Sequence, residues 1–424
     1  MTQVFATEHP LTTDKDISSF DFWRQPFRQR DVTFGWLRAN APVSWHKPLE
    51  HDGLPPEVHR EAGFWAVTRA EDIKRVSQDH ETFSSAIGGV MLNPRNPSII
   101  VPPTFLAMDP PEQTRYRKIM SAAFTPRAVA KLIDKIDERA RQITKRVVGA
   151  GDIDFVTEVS AKLPMLTVAD MVGVPESLVE TFAHAGDNVV GLRDPGILPP
   201  GTTPLAYGIE QLGVLQGIGL ELVRHRRKHP AEDIATALAT AEFDGKRLTD
   251  AEIGAVMLLL SVAGNDTTKQ TTTWTALSLD HHPDQRAWLQ EDFDGRIMGA
   301  IEEFVRHASP VIEFARTATQ DVELGGQQIA AGDKVVIFYC SGNRDETVFP
   351  DPHRFDLTRP RTGHVGFGGG GVHFCLGSGI AKAQLRALFR EILANLPDMQ
   401  VTGEPEYLYS DFINGIKRLP VRIP

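Results

Sequence analysis

The stretch Phe367-Gly368-Gly369-Gly370-Gly371-Val372-His373-Phe374-Cys375-Leu376-Gly377 decides how this chain is read. Four successive glycines lead into a His, a Phe and a Cys, and a helical pattern follows over residues 376–396. Glycine runs permit positive φ and let a flat group lie directly on the main chain. A Cys at the mouth of a helix sits among unpaired N–H groups and the positive end of the dipole, which favours thiolate over thiol. Such a thiolate is a soft metal ligand, and haem iron is one metal that accepts it. Three plainer readings compete. A phosphate cradle would need a following Gly-Lys-Ser/Thr or the spacing of a dinucleotide-binding turn, and neither is present. A buried thiol is the common fate of a lone Cys. A flexible linker fits poorly with Phe367 and Phe374 on its flanks. On these residues alone haem ligation ranks first and a buried thiol second.

The rest of the chain is long enough to support a large core: 424 residues, 41% hydrophobic. Its 45 basic against 55 acidic residues leave a formal charge of −10, which argues against a nucleic-acid partner. Two cysteines, Cys340 and Cys375, exclude a disulfide framework and point to a reducing, cytoplasmic compartment. Residues 1–20 carry no apolar run of signal-peptide length, and the apolar run at 255–263 is too short to span a bilayer. A soluble chain without its own membrane anchor is expected.

In chain order, a short helix ends near Arg38, strands cover 43–46 and 64–68 around a Leu54-Pro55-Pro56 turn, and a helix runs over 70–78. Residues 83–111 read as a long loop, with Gly88-Gly89, Pro94, Pro97 and Pro102-Pro103. It is too apolar for disorder, so a lid or pocket wall is expected. A helix opens at Asp109-Pro110-Pro111-Glu112, with Gln113 and Arg117 on one face. Residues 128–222 are mostly helical, broken at Gly149-Ala150-Gly151, at Pro175 and over 193–204. Thr249 and Glu252 form a capping box for a helix that continues to His281. That helix is apolar on all sides over 253–263, hence buried, yet at its centre stands Ala263-Gly264-Asn265-Asp266-Thr267-Thr268. An acid and hydroxyls there cost desolvation. Either they satisfy one another or they face a wet cavity, the second reading being preferred. A helix over 300–306 places Glu303 and Arg306 three apart, a spacing that usually means a weak surface pair. Strands follow at 314–318, 322–324 and 334–339, then a long loop over 341–366. Residues 407–424 read as a hairpin turning at Asn414-Gly415.

Four of these features in fixed order resemble the cytochrome P-450 family of haem-thiolate monooxygenases. They are Ala263 to Thr268, Glu303-x-x-Arg306, Phe349-Pro350-Asp351-Pro352-His353-Arg354-Phe355, and Phe367 to Gly377 with Cys375. The resemblance covers residue 40 to the end. It implies a mainly α, triangular fold with a small β-region, as a single domain over 1–424. The β-rich part would be 40–70 and 310–340 plus the hairpin at 407–424. It implies a b-type haem with Cys375 as axial thiolate, and dioxygen as co-substrate. Asp266 and Thr267 match the acid–alcohol pair that relays protons during oxygen activation. The haem would lie against Ala263, Gly264, Phe367, Gly368 and Gly377, its propionates meeting Arg117, Arg316 and His373. Gln113 stands where many relatives carry His. Glu303, Arg306 and Arg354 match a buried structural ion cluster.

The runs around Cys375, Asn343-Arg344-Asp345-Glu346 and Asn414-Gly415-Ile416-Lys417 look most like the actinobacterial, especially mycobacterial, branch. Members of that branch oxidise lipids, including methyl-branched and isoprenoid chains and sterol side chains. The family-equivalent pocket positions, Ile99, Ile100, Phe105, Leu198, Val262, Val311, Phe314, Phe412 and Ile413, are apolar and call for an extended apolar substrate. Glu313 is the exception, and a solvent-pointing side chain is expected there. No flavin, iron–sulfur or nicotinamide module is seen, so electrons would come from a ferredoxin and its reductase, docking near Arg115, Lys118, Lys382 and Arg386. A monomer is expected. Two rival functions remain: a peroxygenase driven by hydrogen peroxide, and a haem-binding sensor or electron carrier without turnover.

Overall fold

The computed structural model describes residues 9–50, 62–92, 104–243, 245–360 and 363–424. In chain order the helices are α1 (Phe20–Arg24), α2 (Phe27–Asn40), α3 (Ala70–Gln78), α4 (Glu112–Ser121), α5 (Pro126–Ala130), α6 (Ile133–Val147), α7 (Lys162–Val172) and α8 (Val179–Val190). They continue as α9 (Pro204–Arg226), α10 (Ile234–Thr240), α11 (Asp250–His281), α12 (Pro283–Glu291), α13 (Phe293–Ala308), α14 (Tyr339–Gly342) and α15 (Ser378–Asn395). The strands are β1 (Val43–His46), β2 (Phe64–Val67), β3 (Phe83–Ser84), β4 (Gly151–Asp154), β5 (Glu242–Phe243), β6 (Lys246–Arg247) and β7 (Glu313–Ala318). After them come β8 (Val322–Leu324), β9 (Gln327–Ile329), β10 (Lys334–Phe338), β11 (Gln400–Val401), β12 (Glu406–Tyr407), β13 (Ile416–Arg418) and β14 (Pro420–Ile423).

The 32-residue α11 is the axis of the helical part. Its start is fixed locally: the Glu252 N–H donates to the Thr249 hydroxyl, and the Thr249 N–H donates to the Glu252 carboxylate at 2.7 Å. Beyond that cap, α7, α8, α9 and α13 pack around it, and Ile253, Val256, Met257 and Leu260 join the largest hydrophobic cluster. Burial on every side is what an all-round apolar helix requires.

A five-stranded sheet in the order β1-β2-β10-β7-β3 makes the second part. Strand β10 runs parallel to β2 and antiparallel to β7, setting Val335 between Trp65 and Arg316. The β8–β9 hairpin turns through Gly325 and Gly326, both at positive φ (56° and 76°), as the paired glycines predict.

The chain departs from the sequence expectations at several points. Helix α13 begins at Phe293, seven residues before the predicted 300, because the Asp292 carboxylate accepts from the Gly295 N–H at 3.1 Å. The glycines at 149–151 are followed by a strand, β4, which the pattern did not announce; it pairs with β14, and β14 with β11. The C-terminal hairpin is therefore β12 with β13, and Asn414-Gly415 is not its two-residue turn. Asn414 instead donates from its side chain to the Ala308 carbonyl at 2.8 Å and from its main chain to Pro310, fastening the 408–415 loop to the end of α13. The predicted loop at 341–366 opens with the short helix α14. The Leu54-Pro55-Pro56 turn, and Pro94, Pro97, Ile99, Ile100, Pro102 and Pro103 of the predicted lid, lie outside the described residues. Among the described residues no helix is long and apolar enough to cross a membrane.

Candidate active site

The Cys375 loop is built on α3. Gly370 and Gly371 hold positive φ (97° and 72°), which favours glycine. A Cβ on Gly369 would meet the Ser77 hydroxyl at 2.4 Å, and one on Gly371 the Ser77 carbonyl at 2.5 Å. The Gln78 side chain donates to the Gly369 carbonyl at 3.0 Å. Three of the four glycines thus let a helix approach; only Gly368 is left open to a flat group, its Cβ position having no neighbour nearer than 3.9 Å. The Cys375 N–H donates to the Phe367 carbonyl at 3.0 Å, closing the turn.

Burial pushes the Cys375 thiol above its ordinary range, opposed by the Gly377 and Ser378 N–H groups and by Arg117 and Lys382. Desolvation therefore outweighs the helix terminus, reversing the expectation that the thiolate forms unaided. The donors expected of the terminus are nevertheless in place.

Around this loop stand the predicted anion-binding residues. Arg117 donates to the Phe374 carbonyl at 2.5 Å and lies over the Phe105 ring, 5.9 Å from its centre. Gln113 is buried, and its amide donates to the Val372 carbonyl at 2.7 Å, so it braces the Cys loop. Arg316 is buried and donates to the Ala315 carbonyl at 2.7 Å. His373 is held down to about 3 by burial and by Arg316 and Arg117, which keeps its imidazole neutral. Both its ring nitrogens are buried without a hydrogen-bond partner, the Met108 main chain acting on it from outside bonding geometry.

On α11, Leu259, Val262 and Thr267 are partly exposed and Ala263 is exposed, along one side of the helix, whereas the Cβ position of Gly264 meets Val168 of α7 at 2.4 Å, so the contact expected of it is filled by protein. Spacings of three and four put these residues on one face. Leu259 was absent from the predicted pocket; its place on this face was available from that spacing. Thr267 donates its hydroxyl to the Ala263 carbonyl at 2.8 Å, leaving its oxygen lone pairs free to accept. Asp266 turns the other way. It is 2% exposed, one oxygen takes the Lys269 ammonium at 2.7 Å, and Oδ2 has no partner. Burial and the neighbouring Asp187 raise it to about 7, against Lys269. Each sequence reading of this segment meets part of the geometry: one Asp266 oxygen is paired with Lys269 inside the protein and the other has no partner, while Thr267 and Ala263 retain exposure.

Four of the other residues expected in the pocket, Val311, Phe314, Phe412 and Ile413, are joined pairwise. Val311 forms a bridge with Ile413, the Ile312 N–H donates to the Phe412 carbonyl at 2.8 Å, and Phe314 meets Phe412 edge-on at 5.5 Å. Phe105, Leu198, Val262, Val311, Phe314 and Phe412 are partly exposed, as lining residues should be. Ile413 is not; at 0% exposure it packs behind the lining because its bridge to Val311 turns it inward. Glu313 is also corrected. It is fully buried, accepts from the Leu92 N–H at 3.0 Å, and is raised to about 8 by burial and Asp411.

The Glu303–Arg306 pair is buried and bidentate, at 2.6 and 2.7 Å, not a surface pair. Arg306 also donates to the carbonyls of Asn343, Pro352 and Arg354, at 2.7, 2.8 and 3.2 Å. The second cation at Glu303 is Arg359, 3.3 Å away, and the Arg354 side chain is exposed. Arg354 enters the cluster only through its carbonyl, because the loop bends after it. The predicted basic docking surface is partly neutralised as well: Lys382 pairs with Glu302 at 2.6 Å and Arg386 with Asp137 at 3.4 Å, leaving Lys118 exposed.

Comparison with known proteins gives this geometry its context. The family model Cytochrome P450 matches residues 220–397. The methyl-branched lipid omega-hydroxylase of Mycobacterium tuberculosis is 38% identical over 412 residues, 96% of this chain and 94% of that protein. The chain belongs to the cytochrome P450 family. A steroid C26-monooxygenase of Mycobacterium tuberculosis is likewise 38% identical, covering 92% of this P450 and 88% of the relative. A solved Mycobacterium marinum cytochrome P450 in complex with pseudoionone superposes with a TM-score of 0.94 at 47% identity, covering 98% of this chain and 100% of that one.

This P450 is a monooxygenase, and the family implies a haem thiolate with iron and dioxygen. The residues fit that group: a sulfur faced by two N–H donors, an unpartnered neutral His373 beside two arginines, and an open position at Gly368. Besides Leu259, sequence reasoning missed Lys269, Asp187 and Arg359. Lys269 carried a readable signal, its i, i+3 spacing from Asp266.

Proposed function

We propose that this P450 hydroxylates an extended, branched apolar substrate, a methyl-branched lipid, an isoprenoid or a sterol side chain, using one atom of dioxygen. The observation that carries this reading is the apolar α11 face, Leu259, Val262 and Ala263, ending at the Thr267 hydroxyl, together with the Phe314–Phe412 wall. An apolar surface with one polar end orients a greasy chain and presents a single carbon. The relatives named above point the same way, one acting on methyl-branched lipids, one on steroids, one bound to pseudoionone.

Cys375 would hold the iron through its sulfur in this reading, and the haem would supply oxygen activation when bound. The protein's part is to bind, orient and move protons. Gly377 and Ser378 donate to the sulfur and hold its negative charge. Arg117, Arg316 and His373 would hold the haem's carboxylates, His373 as a neutral donor, while Gln113 fixes the loop that carries His373. Thr267 accepts and passes a proton at its hydroxyl, and Asp266, holding one at neutral pH, supplies it. Electrons come from a ferredoxin and its reductase, and the chain acts as a single, monomeric, cytoplasmic unit over 1–424.

The test is a titration of the haem-loaded enzyme with a lipid panel, followed at the Soret band. Methyl-branched lipids, isoprenoids and sterols are expected to shift the band, and compact polar compounds to leave it unmoved. A shift with compact compounds and none with branched chains would contradict the assignment.

A further inference from the structure

One ammonium lies between two carboxylates beside the open face of α11. Lys269 Nζ is 2.7 Å from Asp266 and 2.9 Å from Asp187, which comes from α8. The Asn265 amide donates to the other Asp187 oxygen at 2.8 Å. Lys269 and Asp266 are buried, 8% and 2% exposed at their side chains, whereas Asp187 is 26% exposed. The unit therefore runs from the protein's edge at Asp187, through Lys269, to Asp266 Oδ2, a buried oxygen with no partner. A buried acceptor without a partner costs stability and calls for a functional reason.

Two carboxylates with one cation leave one negative charge in excess, and a single proton on the unit neutralises it. The charged groups that act on Asp266 are Asp187, presented by α8, and Lys269, presented by α11 itself; α7 meets the same stretch at Gly264 with the apolar Val168. We propose that Lys269 and Asp187 position the Asp266 carboxyl for proton relay: the shared ammonium pins one oxygen, leaves the other free to pass a proton, and ties the relay to α8. This rests on the relay reading of Asp266 and adds two positioning residues to it. Since α8 packs on both α9 and α11, a displacement of α8 would change how Lys269 divides between its carboxylates, and with it the readiness of Asp266 to release a proton.

The experiment follows the carboxylic acid stretch of Asp266 by infrared difference titration of the haem-loaded enzyme, the band being assigned by its loss in Asp266→Asn. In Asp187→Asn the negative charge that competes for Lys269 is gone, so the titration midpoint is expected to fall by about one pH unit, tenfold in proton affinity. In Lys269→Gln the stabilising cation is gone, and the midpoint is expected to rise by a similar amount. Shifts of these opposite signs support the proposal. Midpoints that stay within about 0.2 pH unit of the wild type, against a one-unit scale for such neighbours, overturn it. Asp187→Asn is isosteric and lies at the edge, so it keeps the test available if Lys269→Gln does not fold. Asp266→Asn separates the two levels: wild-type turnover there removes the relay reading, whereas lost turnover with unmoved midpoints removes only the positioning roles.

Discussion

Arg306→Ala is expected to destabilise the protein by about 3–5 kcal/mol, the usual cost of breaking a buried ion pair from one side. Both partners are nearly inaccessible, Arg306 at 1% and Glu303 at 4%. The guanidinium makes a bidentate pair with Glu303 and donates to three main-chain carbonyls between residues 343 and 354. Removing it leaves the Glu303 carboxylate with Arg359 and with the Asp356 N–H, 3.0 Å away, and takes the Arg306 donor from the Asn343 and Pro352 carbonyls, that of Arg354 keeping Arg359 at 3.3 Å. A loss of that size is a large part of the ~5–15 kcal/mol that holds a typical protein folded. Arg306→Lys is expected to rescue little, since an ammonium cannot reproduce the planar fork. Denaturant unfolding followed by circular dichroism measures both. A change below ~0.5 kcal/mol in Arg306→Ala would mean that the pair is worth no more than one at the surface.

Asp266→Asn is expected to cut product formation by about a hundredfold, the lower end of what a positioned acid or base contributes. The amide cannot release a proton at neutral pH, and the Soret shift with substrate should persist, because Asp266 points away from the open face. The pH profile gives a second handle. With Asp266 raised to about 7, the wild-type enzyme holds the proton below that pH and loses it above, so turnover should decline as pH rises through 7. The variant should be uniformly slow without that limb. Turnover within about threefold of wild type, small against the contribution of a general acid, would remove Asp266 from the relay.

What could be read from the residues alone follows a physical division. The α11 start, the β8–β9 turn and the Cys375 turn depend on neighbours within a few positions, and each was legible. The pairing of β4 with β14 joins residues 151–154 to 420–423, and nothing in either short stretch names the other. Glu313 alternates with apolar neighbours as a solvent-facing residue would, but its side faces Leu92. Arg354 and Arg359 are equivalent by composition; the path of the loop decides which reaches Glu303. The glycine run signalled a close approach correctly, yet the body that approaches Gly369 and Gly371 is α3. In the site, residue types and the i, i+3 pair of Asp266 with Lys269 were readable, and the distant partner was not, because Asp187 reaches Lys269 only through the packing of α8 on α11.

The central claim is that the sulfur of Cys375 is bonded to haem iron, and the absorbance of the ferrous carbon monoxide complex tests it most directly. The folded wild-type protein should give the band characteristic of thiolate ligation, and Cys375→Ser should lose it. A wild-type complex without that band, in protein that is folded and binds haem, would contradict the account.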